Sequence, residues 1–343
     1  MNTFEIFAPR KSRRTGVWGA AVVAAVTAAG VLAATLPPET VLPRQSPADM
    51  VGALHTAFGT HHARAVHSKG IILLGEFTPE TRARSLTRAP IFASAAKLPV
   101  TLRFSDFTGI PDIPDTTGDA NPRGLAIKIL APDGEAFDVV THSFNGFPTA
   151  SSDEFAALLR SIGASGPDAP HPNAVERFLS THPIAKTFLT TQKPPPVSYA
   201  TAAYFGVNAL KFTNADNEVT FVRYRFVPRA GEHYLTTEAL AGKGRDYLLQ
   251  EIAERIGHGP VSFDWYAQIA AAGDAIDNPS IAWPDSRTLA KLGTITVSRL
   301  ATDAPTDKRT MFLPGTPHAG IEPADPMLVL RTQAYPISFA ERQ

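Results

Sequence analysis

The sequence predicts an α+β fold, an antiparallel β-barrel with helical additions, preceded by one transmembrane helix. Three observations predict it. Short runs rich in Val, Ile, Leu, Thr and Phe recur through the middle of the chain, separated by Gly, Pro, Asn and Asp. Helical patterns gather after many of these runs instead of alternating with them, which argues against a parallel sheet. Ahead of both, Gly16–Leu36 runs without a charge behind the basic cluster Arg10-Lys-Ser-Arg-Arg14. About 20 apolar residues is the length that crosses a bilayer as a helix.

The N-terminal elements come first. Residues 1–15 form a basic segment that the positive-inside rule keeps in the cytoplasm. Residues 16–36 are the expected anchor, and everything after them is exported. A cleaved signal peptide is the rival reading, but its apolar region usually runs about 7–15 residues, shorter than this one. Ser12-Arg13-Arg14 partly resembles a twin-arginine signal, although the residues that follow fit poorly. The expected location is the bacterial inner membrane, single-pass, with the folded domain in the periplasm. Residues 37–47 are proline-rich and read as an extended tether.

Residues 48–343 read as one domain without internal repeats. Ser46 or Asp49 is placed to cap a first helix through MVGALHTAFG. Strands are expected at 71–77, 100–104, 125–130, 136–140, 210–213, 219–226 and 294–299. Asn214-Ala-Asp-Asn217 reads as a tight hairpin turn between two of them. Helices are expected at 152–162, 174–181, 236–256 and 325–335.

Composition narrows the function. Lys+Arg and Asp+Glu both number 32, so nothing points to nucleic acid or a polyacid as partner. Thirty prolines argue for long ordered loops. Cysteine is absent, which excludes disulfides and thiolate chemistry and suits a protein that meets oxidants.

The residues that carry chemistry stand far apart. Near the start of the domain lies Arg64-Ala-Val-His67-Ser-Lys-Gly70, and near its end Arg331-Thr-Gln-Ala-Tyr335-Pro336. Tyr335 follows Arg331 by one helical turn, so the two share a face, and a guanidinium there favours phenolate over phenol. Pro336 disfavours helix at Tyr335, so the pair is expected in the last turn of a helix ending at Ala334. Between them, in order, come Arg103-Phe-Ser105, Asn121-Pro-Arg-Gly-Leu-Ala126, Phe178-Leu-Ser-Thr-His-Pro183, Phe205-Gly-Val207 with Lys211-Phe-Thr-Asn-Ala-Asp216, and Gly320-Ile-Glu-Pro323.

In this order the segments resemble the catalase superfamily across nearly all of residues 50–343. The short length and the membrane segment make the chain most like the small catalase-related peroxidases. The resemblance implies a catalase-like barrel and haem b. It implies that Tyr335 is the iron ligand with Arg331 as its charge partner, and that His67 is the distal acid–base group, oriented by Ser105. Arg64, Arg103 and Arg342 match positions that bind haem propionates. His55, His61 and His62 lack metal-ligand company and read as surface or capping residues.

One departure stands out. Catalases place an asparagine beside the distal histidine, and ungapped register puts His142 there, while Asn145 reaches that role only through a three-residue shift. Both alternatives leave a polar group near iron, and both work against dismutation of two peroxides. Asn208 also replaces a histidine and is given no role. The expected function is a haem peroxidase that reduces hydrogen peroxide, or an organic hydroperoxide, with a small organic electron donor and little catalase activity. A haem-binding or carrier protein without turnover is the alternative.

Overall fold

The structure, a computed structural model, describes residues 44–301 and 305–343. The Gly16–Leu36 run, the basic cluster before it and most of the proline-rich stretch lie outside these residues. No helix among the described residues is long and apolar enough to cross a membrane.

Antiparallel strands β1 (Gly70–Pro79), β2 (Leu98–Ser105), β3 (Gly124–Leu130), β4 (Ala136–His142), β5 (Tyr204–Thr213), β6 (Val219–Pro228), β7 (Val261–Ile269) and β8 (Leu289–Leu300) follow one another around a barrel. β8 pairs back onto β1, and the short β9 (Ile321–Pro323) adds to β5. The β4–β5 seam is thin, since it rests on the single pairing of His142 with Phe205. The last residue of β4 therefore stands where the barrel wall opens.

Alternation fills the interior. Val261, Phe263, Trp265 and Ala267 of β7 all point inward. The fully buried Trp265 meets Phe77 and Phe226 at 5.4 and 5.5 Å between ring centroids. Phe104 stacks on Tyr199 at 5.2 Å. Aromatic pairs at these separations add to the burial of their area.

The helices are α1 (Pro47–Phe58), α2 (Ser152–Gly163), α3 (Ala174–Thr181), α4 (Pro183–Thr190), α5 (Thr237–Ala241), α6 (Tyr247–His258), α7 (Pro305–Arg309) and α8 (Pro326–Ala340). Both candidate caps of α1 are used: the Ser46 hydroxyl accepts from the Asp49 N–H, and the Asp49 carboxylate accepts from the Ser46 N–H, each at 3.1 Å. Gln45, assigned to the tether, is buried and docks on α2 through Asp153 and Arg160. Gly242-Lys-Gly244 splits the helix expected over 236–256 into α5 and α6, as two poor helix formers in one turn would. The 214–217 turn forms as expected, with Asn217 at positive φ.

α8 departs from expectation. It does not stop at Ala334 but continues through Pro336 to Ala340. The local preference against helix before proline is overridden by packing on both sides of the break. Ala334 and Ile337 pack with Met50, Val51 and Leu54 of α1. Beyond the proline, Ser338 Oγ accepts from the Ala65 N–H at 3.1 Å, and Glu341 pairs with His55 at 2.8 Å. Tyr335 consequently sits in mid-helix, held from both ends.

Candidate active site

The loop before β1 carries His67 in the left-handed region, at φ +56°. Strain of this kind persists only where the surroundings fix it. Here the His67 N–H donates to the Phe107 carbonyl at 2.8 Å, and the His67 carbonyl accepts from Arg103 Nη1 at 2.8 Å. The ring lies edge-on to Phe107 at 5.5 Å, with Nδ1 3.1 Å from Ser105 Oγ. Gly124 makes this approach feasible. A Cβ there would fall 2.4 Å from Ser105 Oγ and 2.6 Å from His67 Nδ1.

Behind the loop is a buried polar brace. Arg123 forms an ion pair with Asp106, both fully buried, and donates to the Asp115 carbonyl at 2.6 Å. The Tyr199 hydroxyl donates to the same Asp106 at 2.9 Å, and Lys69 closes the set on Asp115. Buried charges persist when paired in this way, and the pairs fix the segments on either side of His67 and Ser105.

The second ring is that of His142, at the barrel seam. It is buried, and its Nδ1 accepts from the Phe144 N–H at 3.4 Å. Its Nε2 is buried without a partner among the described residues. Both histidines are pushed down to about 3, by desolvation first in each case. For His67 the charge interaction with His142 comes next, then Arg103 and Arg331. For His142 it is Arg331. The site therefore holds two neutral imidazoles at neutral pH. The electrostatic neighbour of His67 is His142, whereas Asn145 stands in the loop that follows, partly buried.

On α8, Arg331 Nη2 donates to the Tyr335 hydroxyl oxygen at 3.1 Å. Its Nη1 donates to Asn208 Oδ1 at 2.6 Å, and Asn208 Nδ2 donates to Asp325 Oδ2 at 2.7 Å. Asp325 is also the N-cap of α8, accepting from the Met327 N–H at 2.9 Å. Sequence reasoning missed Asn208 and Asp325, since the line from cap to tyrosine joins β5 to α8 across more than a hundred residues. The charge of Arg331 acts on both histidines, lowering each further.

The three remaining arginines converge on the 307–310 segment. Arg103 donates through Nε and Nη2 to the Asp307 carboxylate, and Arg64 Nη2 donates to Asp307 Oδ1 at 3.0 Å. Arg64 and Arg342 each donate to the Thr310 carbonyl at 2.9 Å. On another side, a surface cleft lined by Asn121, Phe188 and Lys193 is separated from the rings by Phe188, which lies 6.2 Å from His142 and 6.4 Å from Phe107. His55, His61 and His62 stay outside the site, and no cluster of potential metal ligands of the His/Cys/Asp/Glu type occurs among the described residues.

Known proteins resemble the chain over most of its length. The catalase family model matches residues 60–342. A catalase-related peroxidase of Synechococcus elongatus is 34% identical over 307 residues, covering 87% of this chain and 88% of that one. One of Mycolicibacterium paratuberculosis is 35% identical over 284 residues, covering 81% and 88%. Among solved structures, a fungal catalase superposes with a TM-score of 0.71 at 20% identity, and catalase A of Saccharomyces cerevisiae with 0.70 at 21%. Each matches 82% of this chain, which spans only 59% and 61% of those two chains. The chain belongs to the catalase family and is an oxidoreductase acting on peroxide.

Proposed function

We propose that this chain is a haem-dependent peroxidase that reduces hydrogen peroxide or an organic hydroperoxide with electrons from a small organic donor, releasing little oxygen from peroxide alone. The observation that carries the reading is a neutral, Ser105-tethered His67 that feels the charge of the same Arg331 that holds Tyr335.

The residues present fit haem, and we assign it as haem b. Tyr335 offers a phenol oxygen beside a permanent cation, Arg64 and Arg103 already hold the Asp307 carboxylate with Arg342 on the same segment, and His142 Nε2 is buried without a partner among the described residues. Bound haem supplies the redox iron, and Tyr335 is the group offered to it. The chain supplies the proton handling. With its Nδ1–H donated to Ser105 Oγ, His67 keeps Nε2 free to take a proton from one peroxide oxygen and return it to the leaving oxygen. Desolvation keeps that nitrogen unprotonated at neutral pH. His142 takes the asparagine's place as the second polar group. Phe107 packs edge-on against the His67 ring and Phe188 edge-on against the His142 ring.

The proposal extends to placement. The Gly16–Leu36 run would hold the domain at the periplasmic face of the inner membrane on a short tether. Fractionation with N-terminal sequencing of the mature protein tests this, and a soluble form starting near residue 37 would refute the anchor. For the activity, a visible spectrum of the purified protein is recorded before and after one equivalent of peroxide, then after a phenolic donor. A spectral change that the donor reverses supports the peroxidase. Haem that does not respond to peroxide would mark a carrier.

A further inference from the structure

The arginine cluster carries an internal anion. Arg103 is 3% exposed, and its donors divide into two sets. Nη1 and one Nη2 hydrogen are spent on the carbonyls of His67 and Ser68, which fixes the guanidinium in place. Its remaining edge, Nε with Nη2, is taken by both oxygens of Asp307. Arg64 adds a further bond to Asp307 Oδ1 and another to the Asp307 carbonyl, at 2.7 Å. The partners differ in burial. The Asp307 side chain is 34% exposed, so it lies on the solvent side of two enclosed cations.

The cluster is also rich in cations. Burial and the neighbouring guanidiniums push Arg64 down to about 9 and Arg342 down to about 10, with Asp307 opposing. Asp307 is itself held below the usual carboxylate range, because the charges of Arg103 and Arg64 outweigh its burial. An incoming carboxylate that seeks a two-pronged hold on Arg103 must take the edge that Asp307 uses.

We propose that Asp307 is a stand-in for a haem propionate, holding Arg103 and Arg64 in the binding arrangement until the cofactor's acidic edge displaces it. The inference rests on the haem reading above. Asp307 preorganises the cation pair, at the cost of competing with haem for it. Displacement also loosens the backbone at 307–310, where Arg64 and Arg342 otherwise hold the carbonyls of Asp307, Lys308 and Thr310. The segment carries its own reporter: Lys308 and Arg309 have exposed side chains and form a tryptic site.

The test uses the full-length protein prepared free of haem. Hemin is titrated into wild type and Asp307→Asn, and binding is followed by absorbance. Without its charged competitor the variant is expected to bind hemin about tenfold more tightly. Trypsin cleavage after Lys308 and Arg309 gives a second readout, and in the wild type hemin is expected to accelerate it. In the variant, cleavage should be fast before hemin is added. Equal or weaker hemin binding by the variant, or protection of the 308–309 site by hemin, overturns the stand-in role while leaving the haem reading intact. A wild type that takes up no hemin overturns both.

Discussion

The Arg331 guanidinium donates to Asn208 Oδ1 at 2.6 Å, which pins it from the side away from Tyr335. Asn208 cannot carry a proton, and its amide is oriented by Asp325, the cap of the same helix that bears Tyr335. The phenol is thus tied to the start of α8 through three side chains. Asn208→Leu would leave Arg331 Nη1 and Asp325 Oδ2 without these partners. Hydrogen bonds to charged groups contribute about 1.5–3 kcal/mol, so a loss of that order is expected in urea unfolding. Hemin bound to the variant should show a broadened spectrum. Unchanged stability and an unchanged spectrum would remove Asn208 from the positioning of Tyr335.

The two histidines predict a pH dependence of stability. Both are held neutral down to about 3, against about 6.5 for a free imidazole. Between these values the unfolded chain binds protons that the folded chain refuses, so unfolding free energy falls as pH drops through that window. Each ring contributes up to about 1.4 kcal/mol per pH unit. Carboxylates titrate there too, so the informative quantity is a difference between proteins. His142→Asn should lose stability less steeply than wild type between pH 6 and 4, by about one proton. Equal slopes would mean that His142 is charged in the folded state.

Gly124→Ala tests the packing of the distal side. The added methyl meets Ser105 Oγ and the His67 ring on a paired strand, where little can move. A displacement of about 1 Å in a catalytic group can cost about 100-fold in rate. Peroxide-dependent donor oxidation should fall by that order while circular dichroism shows the barrel intact. Full activity would mean that His67 acts from a different position.

His142→Asn also separates peroxidase from catalase behaviour. Wild type should oxidise a phenolic donor and evolve little oxygen on the same preparation, and the asparagine variant should gain oxygen evolution. Vigorous oxygen release by wild type with negligible donor oxidation would contradict the proposed function.

The barrel was legible where strands are dense in β-branched residues, as in β1, β6 and β8. β7 was not, because Val261–Ile269 has β-branched residues only at its ends, although its inward positions alternate cleanly. α4 escaped because His182-Pro183 reads as a stop, whereas the structure uses Pro183 as the first residue of a new helix. Within the site, His67, Ser105, Arg331 and Tyr335 lie in motifs, and the structure brings each pair to hydrogen-bonding distance. Asn208 stands directly after Phe205-Gly-Val207 in place of a histidine, with no role legible there, and Asp307 lies in no motif. Their partners are 123 and 204 residues away, and only the closed barrel brings them together.

The most direct measurement concerns Tyr335. Hemin-loaded Tyr335→Phe, with wild type alongside, is examined by visible spectroscopy and haem content. The variant is expected to lose the phenolate-to-iron charge-transfer band and to retain haem weakly, while circular dichroism shows an unchanged fold. An unchanged charge-transfer band with full haem content would show that Tyr335 is not the iron ligand.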